Sequence, residues 1–436
     1  MELPDELLIL IFVLLPVKSL LLFKCVCKHW LSVIQSPQFV EYHCRLSETR
    51  SGAKLLCYRK DPVTETYVIS IVDRHTLGKL EDLEWPPFLE EEGLDEDVEW
   101  PPLVVEEGYT GPTSFLRRIK IFGPVNGIYC IFRSLIDRWV GTLTLWNPAT
   151  REYKHIHPQI SFPFPMHLLG FKDYALMQFH QQEPVCLNIG FGFDHTTNDY
   201  KVVVICQWHD EEMGEDVRWH LRVYNHASDT WRTVYSLNRL VDPHPLFEGS
   251  DLPFPQIEYD PPISHCLLNG VFHWACSVGL GNDSFNAVLA FDMTSDVLRL
   301  MKGPPIPCHL IVYSSVWVLK DTIAAVISTY DPLNDSLNDP LRDIKVWMMM
   351  EYGVDDSWVM LFKFNGVSNW APVGIPYNDR VFFDDESGHL ISSDIDEDHQ
   401  VKEHDVYGMT YPTLNGIRGT LGILDYVETL TTLKPV

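Results

Sequence analysis

From Lys54 onward the sequence repeats one unit: a short strand-like run, a polar turn and a second run. It recurs as LWNPATREYKHI (145–156), VYNHASDTWRTV (223–234), AFDMTSDVLRLM (290–301) and VWMMMEYGVDDSWVML (346–361). The first three carry Thr or Ser inside the turn and a bulky residue beyond it, Tyr153, Trp231 and Leu298. The runs LLCY (55–58), TYVISIV (66–72), IYCIF (128–132), GTLTLW (141–146), YKVVVICQW (200–208), WHLRVY (219–224), VFHWAC (271–276), AVLAFD (287–292), SVWVLK (315–320) and RVFFD (380–384) are rich in β-branched and aromatic residues. Gly, Asn, Asp and Pro punctuate them, as turn formers do. Asn126-Gly127 and Asn269-Gly270 each open a strand with a strong hairpin signal. No comparable helical run intervenes, which argues against a parallel sheet with helical crossovers.

Recurring hairpins must bury their faces against one another and leave no long edge. A β-propeller satisfies both demands, and the stretch 419–434 is placed to close such a ring against 54–73. The repeats begin at 145, 223, 290 and 346, farther apart than the ~40–50 residues of an ordinary blade, so insertions are expected. A β-sandwich or barrel is the alternative.

Residues 1–45 follow a different, helical period. Pro4 stands near a helix start with Asp5 and Glu6 in the first turn, where the helix dipole favours acids. The run Leu7 to Leu15 is halted by Pro16. A second helix is expected from Lys18 or Ser19, carrying Leu20, Leu21, Phe23, Val26 and Trp30 at three- and four-residue intervals. A third, Pro37 to Arg45, places Phe39, Val40 and Cys44 for packing. The predicted class is α+β: a small three-helix unit (1–45), a connector with the first strands (46–80), an acidic insertion (81–110) and a large all-β domain (111–436). A unit of ~45 residues is marginal by itself. Leu7 to Leu15 leaves its helix no polar face, so another protein or the rest of the chain must cover it.

Charge narrows the partners. Acidic residues outnumber basic ones 60 to 33, a formal charge of -27, which disfavours nucleic acid and favours a basic protein. The apolar run 7–23 follows Glu2, Asp5 and Glu6 and is broken by Pro16 and Lys18, which argues against a signal peptide and a membrane span. Ten cysteines lack disulfide-framework or zinc spacing, the pattern of reduced thiols in cytoplasm or nucleus; the sequons at Asn282 and Asn334 then stand there by chance.

Residues 81–107 hold twelve acidic side chains, no basic ones and a near-duplicate, EWPPFLEEEG and EWPPLVVEEG. Like charges and four prolines predict an exposed loop. Such a loop either is a solvated duplication without a role, or attracts a basic substrate through Glu90, Glu91, Glu92, Asp95, Glu96 and Asp97, with Trp85 and Trp100 as anchors.

Catalytic signatures do not emerge. His155 and His157 share one side of a strand-like segment without an assignable third ligand. Asp394, Asp396, Glu397, Asp398 and His399 resemble a calcium loop in charge alone, without its glycine and terminal glutamate. GFGFD (190–194) leads into a strand rather than a phosphate-binding helix, so its glycines predict a tight turn or close strand approach. There is no GxSxG, Walker loop or HExxH. A non-catalytic protein without a cofactor is expected.

The N-terminus resembles an F-box in its joint pattern: Leu3-Pro4, Glu6-Leu7, Ile11, Leu14-Leu15-Pro16, Lys18-Ser19-Leu20, Phe23, Cys25-Val26-Cys27-Lys28, Trp30, Ile34, Ser36 and Phe39. The remainder resembles the plant F-box-associated domain of the first type, through GPVNGIYCI (123–131), LWNPATREYK (145–154), GFGFDHTTNDYKVV (190–203), LNGVFHWAC (268–276), AFDMTSDVLRLM (290–301), VWMMMEYGVDDSWVMLF (346–362) and YVETL (426–430). Within that family it is similar to the S-locus and related pollen F-box proteins; the acidic insertion departs from the pattern. The resemblance implies docking onto a Skp-type adaptor, which joins a cullin and a RING protein. It implies contacts from Leu3, Pro4, Leu7, Ile11, Leu15, Pro16 and Leu20, and helix-to-helix packing by Phe23, Val26 and Trp30. Internal core remains the other reading of each leucine. The implied mechanism is positioning of a substrate lysine near a charged ubiquitin carrier, and the S-locus likeness implies basic ribonucleases of the pistil as substrates. A protein-binding module that has lost ligase assembly is the alternative.

Overall fold

The computed structural model describes residues 4–50, 54–60, 67–87, 117–135, 141–156, 186–209, 217–237, 256–257, 263–264, 266–278, 285–307, 311–330, 342–367, 371–375, 380–384, 390–395, 401–404 and 422–433.

Four helices lead: α1 (Asp5–Phe12), α2 (Val17–Phe23), α3 (Lys28–Gln35) and α4 (Pro37–Arg50). The expected second helix is two, because Cys27 turns extended and its Sγ accepts the Trp30 amide at 3.4 Å, starting α3 afresh. Ser36 caps α4 through the Phe39 amide at 3.3 Å, with Pro37 in the first helical position. The helical unit thereby runs to Arg50 rather than Arg45.

Six antiparallel sheets follow as the blades of a propeller. Blade 1 is β1 (Lys54–Lys60), β2 (Tyr67–Asp73) and β3 (Lys79–Leu83), completed on its inner side by β26 (Gly422–Asp425). Leu55–Tyr58 of β1 pair with Asp425–Gly422, the ring closure that 54–73 and 419–434 predict. Blade 2 is β4 (Arg117–Val125), β5 (Ile128–Leu135), β6 (Gly141–Asn147) and β7 (Glu152–Ile156); blade 3 is β8 (Cys186–Asp194), β9 (Asp199–His209), β10 (Val217–Asn225) and β11 (Thr230–Leu237). Blade 4 sets β12 (Gln256–Ile257) and β14 (Leu267–Leu268) beside β15 (Val271–Val278), β16 (Phe285–Asp292) and β17 (Leu298–Pro307). Blade 5 is β18 (Ile311–Leu319), β19 (Thr322–Tyr330), β20 (Arg342–Met349) and β21 (Trp358–Val367). Blade 6 is β22 (Ala371–Gly374), β23 (Arg380–Asp384), β24 (Leu390–Asp394) and β25 (Val401–His404). All four repeated sequence units are the outer hairpins of blades 2 to 5, and the two Asn-Gly pairs turn with positive φ into β5 and β15.

Cohesion lies between blades. Leu56, Tyr58 and Ile71 of blade 1 pack with Ile121, Tyr129 and Trp146 of blade 2. Val373, Phe382 and Leu390 of blade 6 meet Leu55, Cys57 and Val72 of blade 1. A Cβ at Gly190 would stand 2.8 Å from Trp274, and one at Gly192 2.7 Å from Met293. The GFGFD glycines therefore let β8 approach blade 4 closely. Between β12 and β14, the short strand β13 (Ile263–Ser264) pairs in parallel with Ile121–Phe122 of β4 and lies against β22 and β26, so it meets the inner strands of blades 2, 6 and 1.

Strand direction gives the ring two unlike faces. On the near face, short turns join β2 to β3, β4 to β5, β6 to β7, β8 to β9, β10 to β11, β14 to β15, β16 to β17 and β18 to β19, and the helices sit there: Ala149, in the turn after β6, packs into the helical core. On the far face the strands end in the connections 61–66, 84–116, 136–140, 157–185, 210–216, 238–255, 331–341 and 405–421. The insertions that the long repeat spacing predicts thus attach opposite the helices.

Candidate partner-docking surfaces

Helix α1 turns two apolar stripes in opposite directions. Leu8 and Phe12 point inward and are buried with Val13, Val17, Leu20, Ile34 and Phe39. Leu7, Leu10, Ile11 and Leu14, spaced three and four apart, point outward; Leu7 is 48 % exposed and Leu14 56 %. Leu22 (69 %) and Val26 (59 %) add outward aliphatic groups on α2 and the turn after it. Inside, Phe12, Phe23 and Trp30 form an aromatic triad with centroids 5.0–5.6 Å apart. His43 ties α4 to the same unit, its Nε2 3.0 Å from the Leu15 carbonyl.

The residues singled out from sequence separate accordingly. Pro4, Leu7, Ile11 and Pro16 are exposed, Leu15 is half-buried against the core, and Leu3 lies outside the described residues. Leu20 is fully buried and belongs to the unit's interior, not to its contact surface. Val26 is the reverse correction: it stands at the turn that splits the expected second helix and faces outward, so it does not hold the helices together. Leu10, Leu14 and Leu22 complete the outward set. The signal for Leu10 and Leu14 was their spacing from Leu7, but an all-apolar helix does not mark its outer side.

The acidic segment begins inside blade 1. Glu81 and Asp82 lie on β3, and Asp82 accepts from Ser70 Oγ at 2.6 Å and pairs with Lys79 at 2.8 Å. Trp85 packs edge-on against Tyr58 at 5.7 Å and is half-buried beside Ile119, which corrects its assignment as a free anchor in an exposed loop. Trp100, Glu90, Glu91, Glu92, Asp95, Glu96 and Asp97 lie outside the described residues.

The polar clusters are engaged in the ring itself. His155 Nδ1 is 3.0 Å from Thr144 Oγ1, and His157 lies outside the described residues. Asp394 pairs with Arg380 at 2.8 Å and Lys402 at 3.0 Å; burial raises its pKa, and those cationic partners outweigh it, holding the carboxyl below its usual range. Lys201 is buried against Asp194 at 2.9 Å and Asp296 at 3.3 Å, tying blade 3 to blade 4. Burial raises the Asp194 pKa, but hydrogen bonds from Thr196, Lys201 and Thr197 prevail and depress it strongly. Among the described residues, no group of three His, Cys, Asp or Glu side chains is placed to hold a metal.

A helical unit with an uncovered aliphatic stripe on a six-bladed ring agrees with two family matches. The F-box domain family matches residues 1–42, and the F-box associated beta propeller domain family matches residues 126–413. F-box protein CPR1 of Arabidopsis thaliana is 23 % identical over 365 residues, covering 81 % of this chain and 70 % of that protein. F-box/kelch-repeat protein At3g23880 of Arabidopsis thaliana is 22 % identical over 374 residues, covering 85 % and 81 %. A solved oligogalacturonate lyase in complex with manganese aligns over 85 % of this chain and 78 % of its own, with 11 % identity and a TM-score of 0.39, a likeness too loose to carry an argument. The two matched domains, in this order and over most of the chain, make it a member of the plant F-box proteins that carry an F-box-associated β-propeller domain.

Proposed function

We propose that Leu7, Leu10, Ile11, Leu14, Leu22 and Val26 form the surface that a Skp-type adaptor covers, and that the far face of the propeller selects a basic protein for ubiquitination. Membership of the family makes the chain a substrate-recognition subunit of an SCF-type ubiquitin ligase. The observation that carries the docking assignment is the outward stripe of α1. Its side chains face water in the free chain, and full burial of one such residue contributes roughly 1.5–3 kcal/mol. A cullin and a RING protein then join through the adaptor. The chain contributes position rather than bond-making, raising the local concentration of a substrate lysine at the ubiquitin carrier.

Two observations support the choice of the far face: the helices occupy the near face, and the long connections start from the other. The net charge of -27 favours a basic target. Together with the S-locus likeness of the sequence, it supports basic ribonucleases as a target class, met in the cytoplasm or nucleus. The test is co-purification with a plant Skp-type adaptor. The wild-type chain is expected to form a one-to-one complex and the Leu7→Asp/Ile11→Asp double variant none. Equal binding by both would refute the stripe, and a folded wild-type chain that binds no adaptor would favour a binding module without ligase assembly.

A further inference from the structure

The polypeptide returns to its own beginning. After β26 closes blade 1, residues 426–433 run under the near face and into the helical unit. Leu430 is buried there among Leu8, Phe12, Val17, Leu20, Ile34 and Phe39, so a core built by residues 8–39 is finished by a side chain from close to the other end of the sequence. Glu428 spans both parts: its Oε2 accepts the Val17 amide at 3.0 Å, and its Oε1 meets Lys54 Nζ, at the start of β1, at 3.0 Å. The Val17 amide opens α2 behind Pro16, which has no side chain to cap it.

The same segment is pinned to the ring. Asn147 donates to the carbonyls of Thr429 (3.2 Å) and Thr431 (2.8 Å), and the Leu433 amide donates to Glu152 at 3.0 Å. Thr429 is fully buried, and its methyl group stands 2.5 Å from where a Cβ on Gly127 would lie, so only glycine admits it. A linker that merely tethered two domains would need none of these contacts.

We propose that residues 426–433 are a working part of the adaptor-docking module: they supply the missing wall of its core and lock it at one angle on the ring, so that the docking stripe and the far face move as one body. The affinity and angle arms of the test rest on the adaptor-docking reading above; the exchange arm does not.

The test compares wild type, Leu430→Ser and Glu428→Ala as full chains. Amide exchange in α1–α3 is expected to quicken at least about tenfold in Leu430→Ser, and by a smaller factor in Glu428→Ala, while the amides of blades 2 to 5 keep their protection. Affinity for a Skp-type adaptor is expected to fall in the same order. In a ligase reconstituted with that adaptor, the set of the chain's own lysines that receive ubiquitin is expected to widen in Glu428→Ala, an effect that lost stability alone would not give. Unchanged exchange in α1–α3 for both variants overturns the shared core, and an unchanged set of modified lysines overturns the locking. If Leu430→Ser loosens the blades as well, Glu428→Ala, which removes no core side chain, decides by the same exchange readout. A wild-type chain that bound no adaptor would refute the functional reading, while the exchange arm would still judge the shared core.

Discussion

Asp73, Asn147, Asp194 and Asp292 each end a strand and do the same work. The side-chain oxygen accepts the amides two and three residues ahead, for example Thr294 at 2.8 Å and Ser295 at 3.2 Å from Asp292, and the residue four ahead adopts positive φ. In the repeated turns of 145–156 and 290–301 the Thr or Ser is therefore a companion, and Asn147 or Asp292 governs the geometry, whereas in 223–234 Asp199 of the neighbouring hairpin accepts the Ala227 amide at 2.8 Å instead. That offset was readable from the sequence. The ion cluster at Lys201 was not, since its partners come from two blades. Lys201→Met should destabilise the protein by roughly 3–5 kcal/mol, because it strands the Asp194 carboxylate in the interior. A urea-unfolding midpoint close to wild type would show that water reaches the site instead.

At the scale of elements, each of the ten strand-like runs coincides with a strand, two of them reaching one residue past the strand end at Thr66 and Lys320, because β-branched and aromatic content survives any blade arrangement. The helices were less readable. Nothing in Val26-Cys27-Lys28 marks a break by hydrophobic period alone, and the break decides which way Val26 points. Leu20→Asp and Val26→Asp should accordingly part company. The first places a charge in a closed core and unfolds α1–α3; the second leaves helical content unchanged and weakens adaptor binding at least about tenfold, roughly 1.4 kcal/mol. Circular dichroism beside a binding titration separates them, and equal loss of helix in both would restore Val26 to the interior.

The hairpin between β20 and β21 shows how one element clasps another. Tyr352 Oη lies 2.8 Å from His273 Nε2, while His273 Nδ1 lies 2.9 Å from the Cys266 carbonyl. With Nδ1 donating to that carbonyl, Nε2 accepts from the tyrosine. Burial lowers the His273 pKa to about 4, whereas the unfolded residue titrates near ~6.5. Between those values the unfolded chain binds more protons, so this contribution is complete above about pH 6.5 and declines as pH falls toward 4. His273→Gln should flatten that slope of stability against pH. An unaltered slope would assign the acid sensitivity to other groups.

For the whole molecule, charge and loop placement carry the expectations. Removing 81–107 would cut into β3 and take away Trp85, so that deletion should damage blade 1. Replacing 88–107 with a short Gly-Ser link spares every described strand. It should leave cooperative unfolding intact and slow association with a basic protein such as lysozyme most at low salt. A salt-independent rate would remove the acidic segment from recognition. The ring itself was readable as recurring hairpins with a closing strand near the end. The pairing of β13 with blade 2 was not, because two residues of strand leave no periodic trace.

Ring closure also has a consequence in time. β1 waits for β26, and its partner residues are separated by more than 360 positions of synthesis. A ribosome working at about 5–20 residues per second keeps blade 1 without its inner strand for some tens of seconds, and the helical unit lacks Leu430 for as long. A chain released before residue 422 therefore has an open blade and an unfinished docking core together. Truncation upstream of residue 422 is therefore expected to weaken blade 1 and the helical unit together.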